Sequence, residues 1–143
     1  MSIRPIPEGF HSVTPYLVTK GIPKIIDFLK SAFDAIELER FADGTGRVMH
    51  AMVKIGDSII MMGETMDGFP AVETSLYLYV PDTDSIYRKA IQAGGISLME
   101  PADQFYGDRN AGVQDSAGNK WWIATHIEDI TREELERRAR ERK

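Results

Sequence analysis

The sequence predicts an α+β fold of two successive βαβββ units, about residues 12–64 and 74–126, followed by a short C-terminal helix at about 131–142. Three observations predict it. Tyr16 and Leu17 recur as Tyr77 and Leu78, and Ile25 recurs as Ile86, at one constant offset; Val53 answers Val113 and Gly56 answers Gly118 after only small turn insertions. In each copy an apolar stripe of helical spacing follows a short strand-like run. In each copy three more strand-like runs, punctuated by Gly-containing turns, follow that stripe. A unit of this kind cannot bury its own apolar faces, so the copies must pack together, and the seam between them is the natural place for a ligand.

The elements follow in order. The first ten or so residues, with Pro5, Pro7 and Gly9, read as an extended arm, and His11 belongs with it. Ser12 to Thr19 is strand-like. Lys20-Gly21-Ile22-Pro23 turns the chain into a helix with Pro near its first position, where the missing N–H costs nothing. Ile22, Ile25, Ile26, Leu29 and Phe33 then fall on one helical stripe that needs a sheet to cover. Strands are expected at about 36–41, 47–55 and 58–63, with Asp43-Gly44-Thr45-Gly46 and Gly56-Asp57 as the turns between them.

A loop from Thr65 to Thr74, containing Gly68 and Pro70, links the units. Ser75 to Val80 opens the second, Pro81-Asp82-Thr83 starts its helix, Ile86, Tyr87, Ala90 and Ile91 repeat the stripe, and Gly94-Gly95 ends it. Strands near 96–100, 108–114 and 119–125 complete the copy. Thr131 to Glu134 has the spacing of a capping box, and Glu133, Glu134 and Glu136 each stand four residues before an Arg. Leu135 and Ala139 are the only apolar residues in that last helix, which reads as a solvated terminal appendage.

Composition narrows the function. With 143 residues, 43% hydrophobic and 27% charged, the chain is expected to form a single domain spanning residues 1–143. A net charge of −5 argues against gripping a nucleic-acid backbone. The absence of Cys excludes disulfides, thiolate catalysis and Cys-ligated zinc. No apolar run approaches the roughly 20 residues of a membrane span, and MSIRPIPEGF lacks a signal-peptide core, so the expected location is cytoplasmic and no membrane partner is expected.

Five segments, VTPYLV (Val13 to Val18), RVMHA (Arg47 to Ala51), IGDSIIMM (Ile55 to Met62), DQFYGDR (Asp103 to Arg109) and WWIATHIED (Trp121 to Asp129), stand in the order found in PhnB-like proteins. Together with the repeat, they make the chain resemble the glyoxalase/bleomycin resistance/dioxygenase (vicinal oxygen chelate) superfamily over almost its whole length. The resemblance implies edge-joined units whose eight strands curve into an open, barrel-like sheet around a central cleft, with the helices on the convex side. It also implies a homodimer, with the cleft built either within one chain or by exchange of units between chains.

Strand alternation then assigns faces. Met49, Ala51, Val53 and Ile55 should pack beneath the helix, leaving His50, Met52 and Lys54 on the cleft side. Thr14, Tyr16 and Val18 share one face, as do Ser75, Tyr77 and Tyr79. Metal-dependent members of the superfamily bind a divalent ion with His or Glu from the first, fourth, fifth and eighth strands. Matching this chain through IIDF and GNKWW puts Thr14, Met61, Ser75 and Trp122 at those positions, with Glu64 in play if the fourth strand is one register off. No metal or other cofactor is therefore expected.

The resemblance then implies a protein that binds a small, partly aromatic or apolar molecule in its cleft. The expected ligand contacts are Tyr16, His50, Met52, Met61, Tyr77, Tyr79, Arg109 and Trp122. The other reading is a metal- or His-dependent lyase, isomerase or dioxygenase in which His50 is the candidate catalytic residue, by virtue of its near-neutral pKa. Trp121, sharing parity with Ile123, is assigned to the core, and His126, beside Glu128 and Asp129, to charge pairing. Arg109 is read either as a fork for a ligand's oxygen or as the internal partner of Asp103 or Asp108.

Overall fold

A computed structural model describes residues 2–142; the expected domain limits Met1 and Lys143 lie outside the described residues. Each half forms its own mixed four-stranded sheet. In the first unit β1 (Tyr16–Thr19), α1 (Ile22–Phe33), β2 (Ile36–Ala42), β3 (Val48–Ile55) and β4 (Ser58–Glu64) give the order β1-β4-β3-β2. In the second, β5 (Ser75–Tyr79), α2 (Thr83–Gln92), β6 (Ile96–Asp103), β7 (Asp108–Gln114) and β8 (Lys120–His126) give β5-β8-β7-β6. A terminal helix, α3 (Arg132–Arg140), follows. The two-repeat α+β architecture is thus the one the sequence predicts. The sheets remain separate and open, with β1 and β5 as edge strands.

The repeat survives at the level of register. Tyr16 lies beside Met61 in the parallel β1–β4 pair, and Tyr77 lies beside Trp122 in the parallel β5–β8 pair. The equivalent turns pivot on Gly56 and Gly118, both at positive φ. Two boundaries differ from expectation. The first strand begins at Tyr16 instead of Ser12, because Pro15 has no N–H to offer a ladder; only its carbonyl is used, accepting from the Met61 N–H at 2.9 Å. The strand β6 runs on through Pro101 to Asp103, with irregular pairing to β7 that accommodates the proline.

The helices explain how the halves join. All five residues of the first stripe, Ile22, Ile25, Ile26, Leu29 and Phe33, are buried, against Ala51, Val53, Ile60 and Met62 of the sheet beneath. A carboxylate secures the helix start: Glu64 accepts from the Gly21 N–H at 3.0 Å and from the Thr65 N–H at 2.8 Å, which satisfies donors left open at that end. In α2, Asp82 caps the N-terminus by accepting from the Ser85 N–H. α1 packs on α2, Lys89 reaches Asp34 at 3.2 Å, and the ring of Phe33 meets that of Trp121 at 5.6 Å. One continuous core therefore spans both units, and the helices lie inside it. No helix among the described residues is long and apolar enough to cross a membrane.

Trp121, fully buried, owes its place to a turn. Asp115, itself buried, accepts from the indole N–H of Trp121 at 2.9 Å, from the backbone of Ala117 and Asn119, and from the Asn119 amide. The Asn119 carbonyl oxygen in turn receives the Thr74 N–H at 3.1 Å, so the β7–β8 turn fixes the start of β5 as well. Replacing Asp115 with Ala leaves the indole N–H and the turn without acceptors in a dry setting; we expect a loss of about 3 kcal/mol in urea unfolding, with the urea dependence unchanged. A loss under about 1 kcal/mol would show that the turn holds by backbone bonds alone.

Candidate functional site

Because the helices cover one face of each sheet, the chemistry collects on the other. On the first sheet Tyr16 lies across β4 at Gly63, where an added Cβ would sit 2.3 Å from the Tyr16 oxygen; glycine is what lets the ring lie flat. The Tyr16 hydroxyl is 3.3 Å from His50 Nδ1. Around this pair a groove of about 260 Å³ is lined by Tyr16, Glu39, Phe41, His50, Met52 and Met61.

The second sheet repeats the device with different residues. Trp122 lies across Gly112 of β7, where a Cβ would meet its six-membered ring at 2.4 Å. Beside it a groove of about 300 Å³ is lined by Tyr77, Met99, Gln104, Tyr106, Asn110 and Trp122. Asp108, 3% exposed, is the hub of the face: its Oδ2 accepts from the hydroxyls of Tyr77 at 2.7 Å and Tyr79 at 2.9 Å, and its Oδ1 lies 3.2 Å from His126 Nδ1. Burial works to raise the Asp108 pKa, but the hydrogen bonds from Tyr77, Tyr79 and His126 outweigh it and hold the carboxyl below its ordinary value. Burial raises Tyr77, with its bond to the Asp108 carboxylate adding to the effect, while that same carboxylate is the main cause that raises Tyr79. Asn110, also 3% exposed, donates to the Tyr77 oxygen at 3.1 Å and to the Tyr106 oxygen at 2.7 Å.

The residues expected from the sequence divide into two groups. Tyr16, His50, Met52 and Met61 share the first groove; Tyr77 and Trp122 share the second, with Tyr79 packed edge-on against Tyr77 at 5.4 Å. A groove of about 570 Å³ between the units runs along β5 and the β3–β4 turn; Tyr77 and Tyr79 line it, but His50, Met61 and Trp122 do not. Arg109 stands apart. It forms ion pairs with Asp84 of α2 at 3.1 Å and Asp103 at 3.0 Å, on the helix side of the sheet, so of the two readings the internal pairing is the one formed. Glu64 also faces the helix side, capping α1, while Met61 shares the open face with Tyr16. Thr14 precedes β1, and Ser75 pairs with Lys120 at the far end of β5.

Three residues that the sequence reading did not select are Asp108, Asn110 and Tyr106. The signal for two of them was present. In β7 the apolar Ala111 and Val113 mark the helix face, so Asp108, Asn110 and Gly112 must share the open one, and the same parity removes Arg109 from it. Tyr106 sits in the β6–β7 turn, whose shape no alternation encodes. That turn is pinned from outside: the Gly107 carbonyl accepts from the Ile127 and Glu128 N–H groups, and Arg138 of α3 donates to the Phe105 carbonyl at 3.2 Å while pairing with Glu128. The terminal helix buries no residue, as expected, yet it is tied to the site through this arginine.

This architecture recurs in solved structures. Over 82% of this chain and 99% of its own, TioX from Micromonospora sp. ML1 superposes with a TM-score of 0.71 at 22% identity. A glyoxalase/bleomycin resistance protein/dioxygenase family enzyme from Burkholderia phytofirmans does so with a TM-score of 0.64 at 18% identity, covering 78% of this chain and 95% of its own. The chain has the glyoxalase/bleomycin resistance/dioxygenase fold. A PhnB protein from Bacillus cereus shares this fold as well, with a TM-score of 0.65 at 19% identity over 80% of this chain and 99% of its own. In sequence, an uncharacterized protein of Mycobacterium bovis is 26% identical over 136 residues, covering 87% of this chain and 90% of that protein. No family model matches the chain.

Metal-dependent proteins with the glyoxalase/bleomycin resistance fold draw His or Glu ligands from the strands equivalent to β1, β4, β5 and β8. Here the pairs that meet across β1–β4 and β5–β8 are Tyr16 beside Met61 and Tyr77 beside Trp122, none an imidazole or carboxylate, and His126 at the end of β8 has both ring nitrogens taken up by Asp108 and Asp129. Among the described residues, no three His, Asp or Glu side chains are grouped so as to hold an ion. The donor set does not fit such a centre.

His126 carries the pH dependence of the second face. Its bond to Asp129 at 2.7 Å, and secondarily that to Asp108, favour the imidazolium and raise its pKa above the ordinary 6.5. A raised folded-state value means that the ion pair stabilises fully below about pH 6.5 and is lost as pH rises through the folded-state pKa. We expect the His126 ring protons to titrate by NMR with a midpoint above 6.5, and Asp129→Asn to bring it down. A midpoint at or below 6.5 in the unsubstituted protein would refute the pairing.

Proposed function

We propose that this protein binds a small, partly aromatic molecule without the help of a metal, in a cleft that two copies of the chain build together. The observation that carries this reading is the lining of the two open faces: Tyr16, Met52 and Met61 on one, Tyr77, Tyr79 and Trp122 on the other, with few polar anchors among them. Aromatic rings and Met offer a large polarizable surface that recognises flat apolar molecules, while a chelate would need donors these strands do not carry.

The need for a second copy follows from how the halves join. Helix-to-helix packing puts the two faces into separate grooves of about 260 and 300 Å³, at or below the small end of the roughly 300 to 1,000 Å³ range of ligand pockets. Large apolar side chains on these faces stay in contact with solvent, Phe41 in the first groove at 57% and Tyr79 beside Tyr77 at 64%. Setting the first sheet of one copy against the second sheet of another covers these residues and merges two half-grooves into one. By symmetry the same contact forms twice.

Two measurements test the proposal. Light scattering should return about double the 16.1 kDa of one chain; a mass near 16.1 kDa would remove the shared cleft. Elemental analysis of protein purified without a His tag should find no stoichiometric Zn, Ni, Mn or Fe, and finding one of them would overturn the metal-free reading.

A further inference from the structure

The hydrogen bonds around Asn110 run in one direction, from the Asp108 carboxylate outward to the Tyr106 hydroxyl. Asp108 accepts at both oxygens, so the Tyr77 proton at 2.7 Å is committed to it. The Tyr77 oxygen is then available only as an acceptor towards Asn110, and it takes one N–H of the amide. The opposite amide orientation would set two acceptor oxygens against each other. The second N–H of Asn110 goes to the Tyr106 oxygen, and Asn110 Oδ1 remains buried with no partner. An orphaned acceptor of this kind is costly and rare. It shows that the Asp108 charge, and not the amide's own satisfaction, sets the orientation. Since Tyr106 accepts from Asn110, its own O–H is not spent on the amide, and Tyr106, beside the Tyr77 hydroxyl, lines the groove whose floor is Trp122.

We propose that the Tyr106 hydroxyl is a ligand-facing hydrogen-bond donor of the second groove, positioned by Asp108 through Tyr77 and Asn110. Its ligand is a flat ring bearing a carbonyl oxygen, stacked on Trp122. Tyr106 touches the ligand; Asp108 is a positioning residue. The assignment rests on the reading of this face as a small-molecule site. It adds a polarity to that reading: the groove prefers a ring that bears a neutral acceptor over the same ring without one.

A matched pair of probes tests it on the full chain. 1-Indanone and indane have the same ring shape and differ by one carbonyl. Binding is followed by NMR on the Trp122 indole N–H, with that of buried Trp121 as an internal reference. We expect 1-indanone to bind about tenfold tighter than indane. Tyr106→Phe should abolish that preference, with the unshifted indole N–H signal of buried Trp121 showing that the variant is folded. Asp108→Asn, with folding checked by the same Trp121 signal, should reduce the ratio of the two affinities, whereas a merely structural role would weaken both probes alike. Equal binding of the two probes, or a preference that survives Tyr106→Phe, overturns the inference and leaves the apolar groove standing. Binding of neither probe overturns both the inference and the reading beneath it.

Discussion

Everything in this molecule depends on the shared burial of α1 and α2 in one core. Each helix stripe needs a sheet to cover it, and each sheet has two faces; once the helices pack on each other, one face of each sheet is spent. Ile25, Ile26 and Leu29 from one side, and Trp121 and Ile123 from the other, are fully buried in that core. The consequence is geometric. The remaining faces must turn outward, and any residue that acts on a ligand must have the parity opposite to the core residues.

That parity was readable in advance, and so most of the fold was too. The alternation in β3 put Ala51 and Val53 under the helix and His50 and Met52 on the open side, and strand alternation likewise assigned Trp121 to the core and Trp122 to the groove. The turn signals at Gly56 and Gly118 and the caps at Asp82 and Thr131 are short-range chemistry, which a sequence carries fully. What could not be read is long-range. Internal pairing of Arg109 with Asp103 was one of its two readings, but its other partner, Asp84, sits on a distant helix that local sequence does not point to. Whether the repeats join by strand edges or by helices depends on packing between units, to which an internal repeat is indifferent.

The site was legible only in part for the same reason. Aromatic residues on strands announce themselves; a buried Asp does not, because its value lies in partners brought in from two other strands. Asp108 gathers Tyr77, Tyr79 and His126, and each contact is between residues far apart in the chain. Glycine tells a related story. Gly63 and Gly112 read as strand weaknesses in sequence, but each gives up a side chain so that an aromatic ring can lie flat on the sheet.

The tie between α3 and the Phe105 carbonyl has a consequence for how the chain tolerates change at its end. The last helix buries nothing, so trimming it would leave the core intact. Yet Arg138 holds the turn that carries Tyr106 from its outer side, in the manner of a guy-rope on a pole. A truncation harmless to thermal stability would thus loosen one wall of the groove. Sequence drift in this solvated helix is constrained chiefly at Arg138 and at Glu134, which pairs with it.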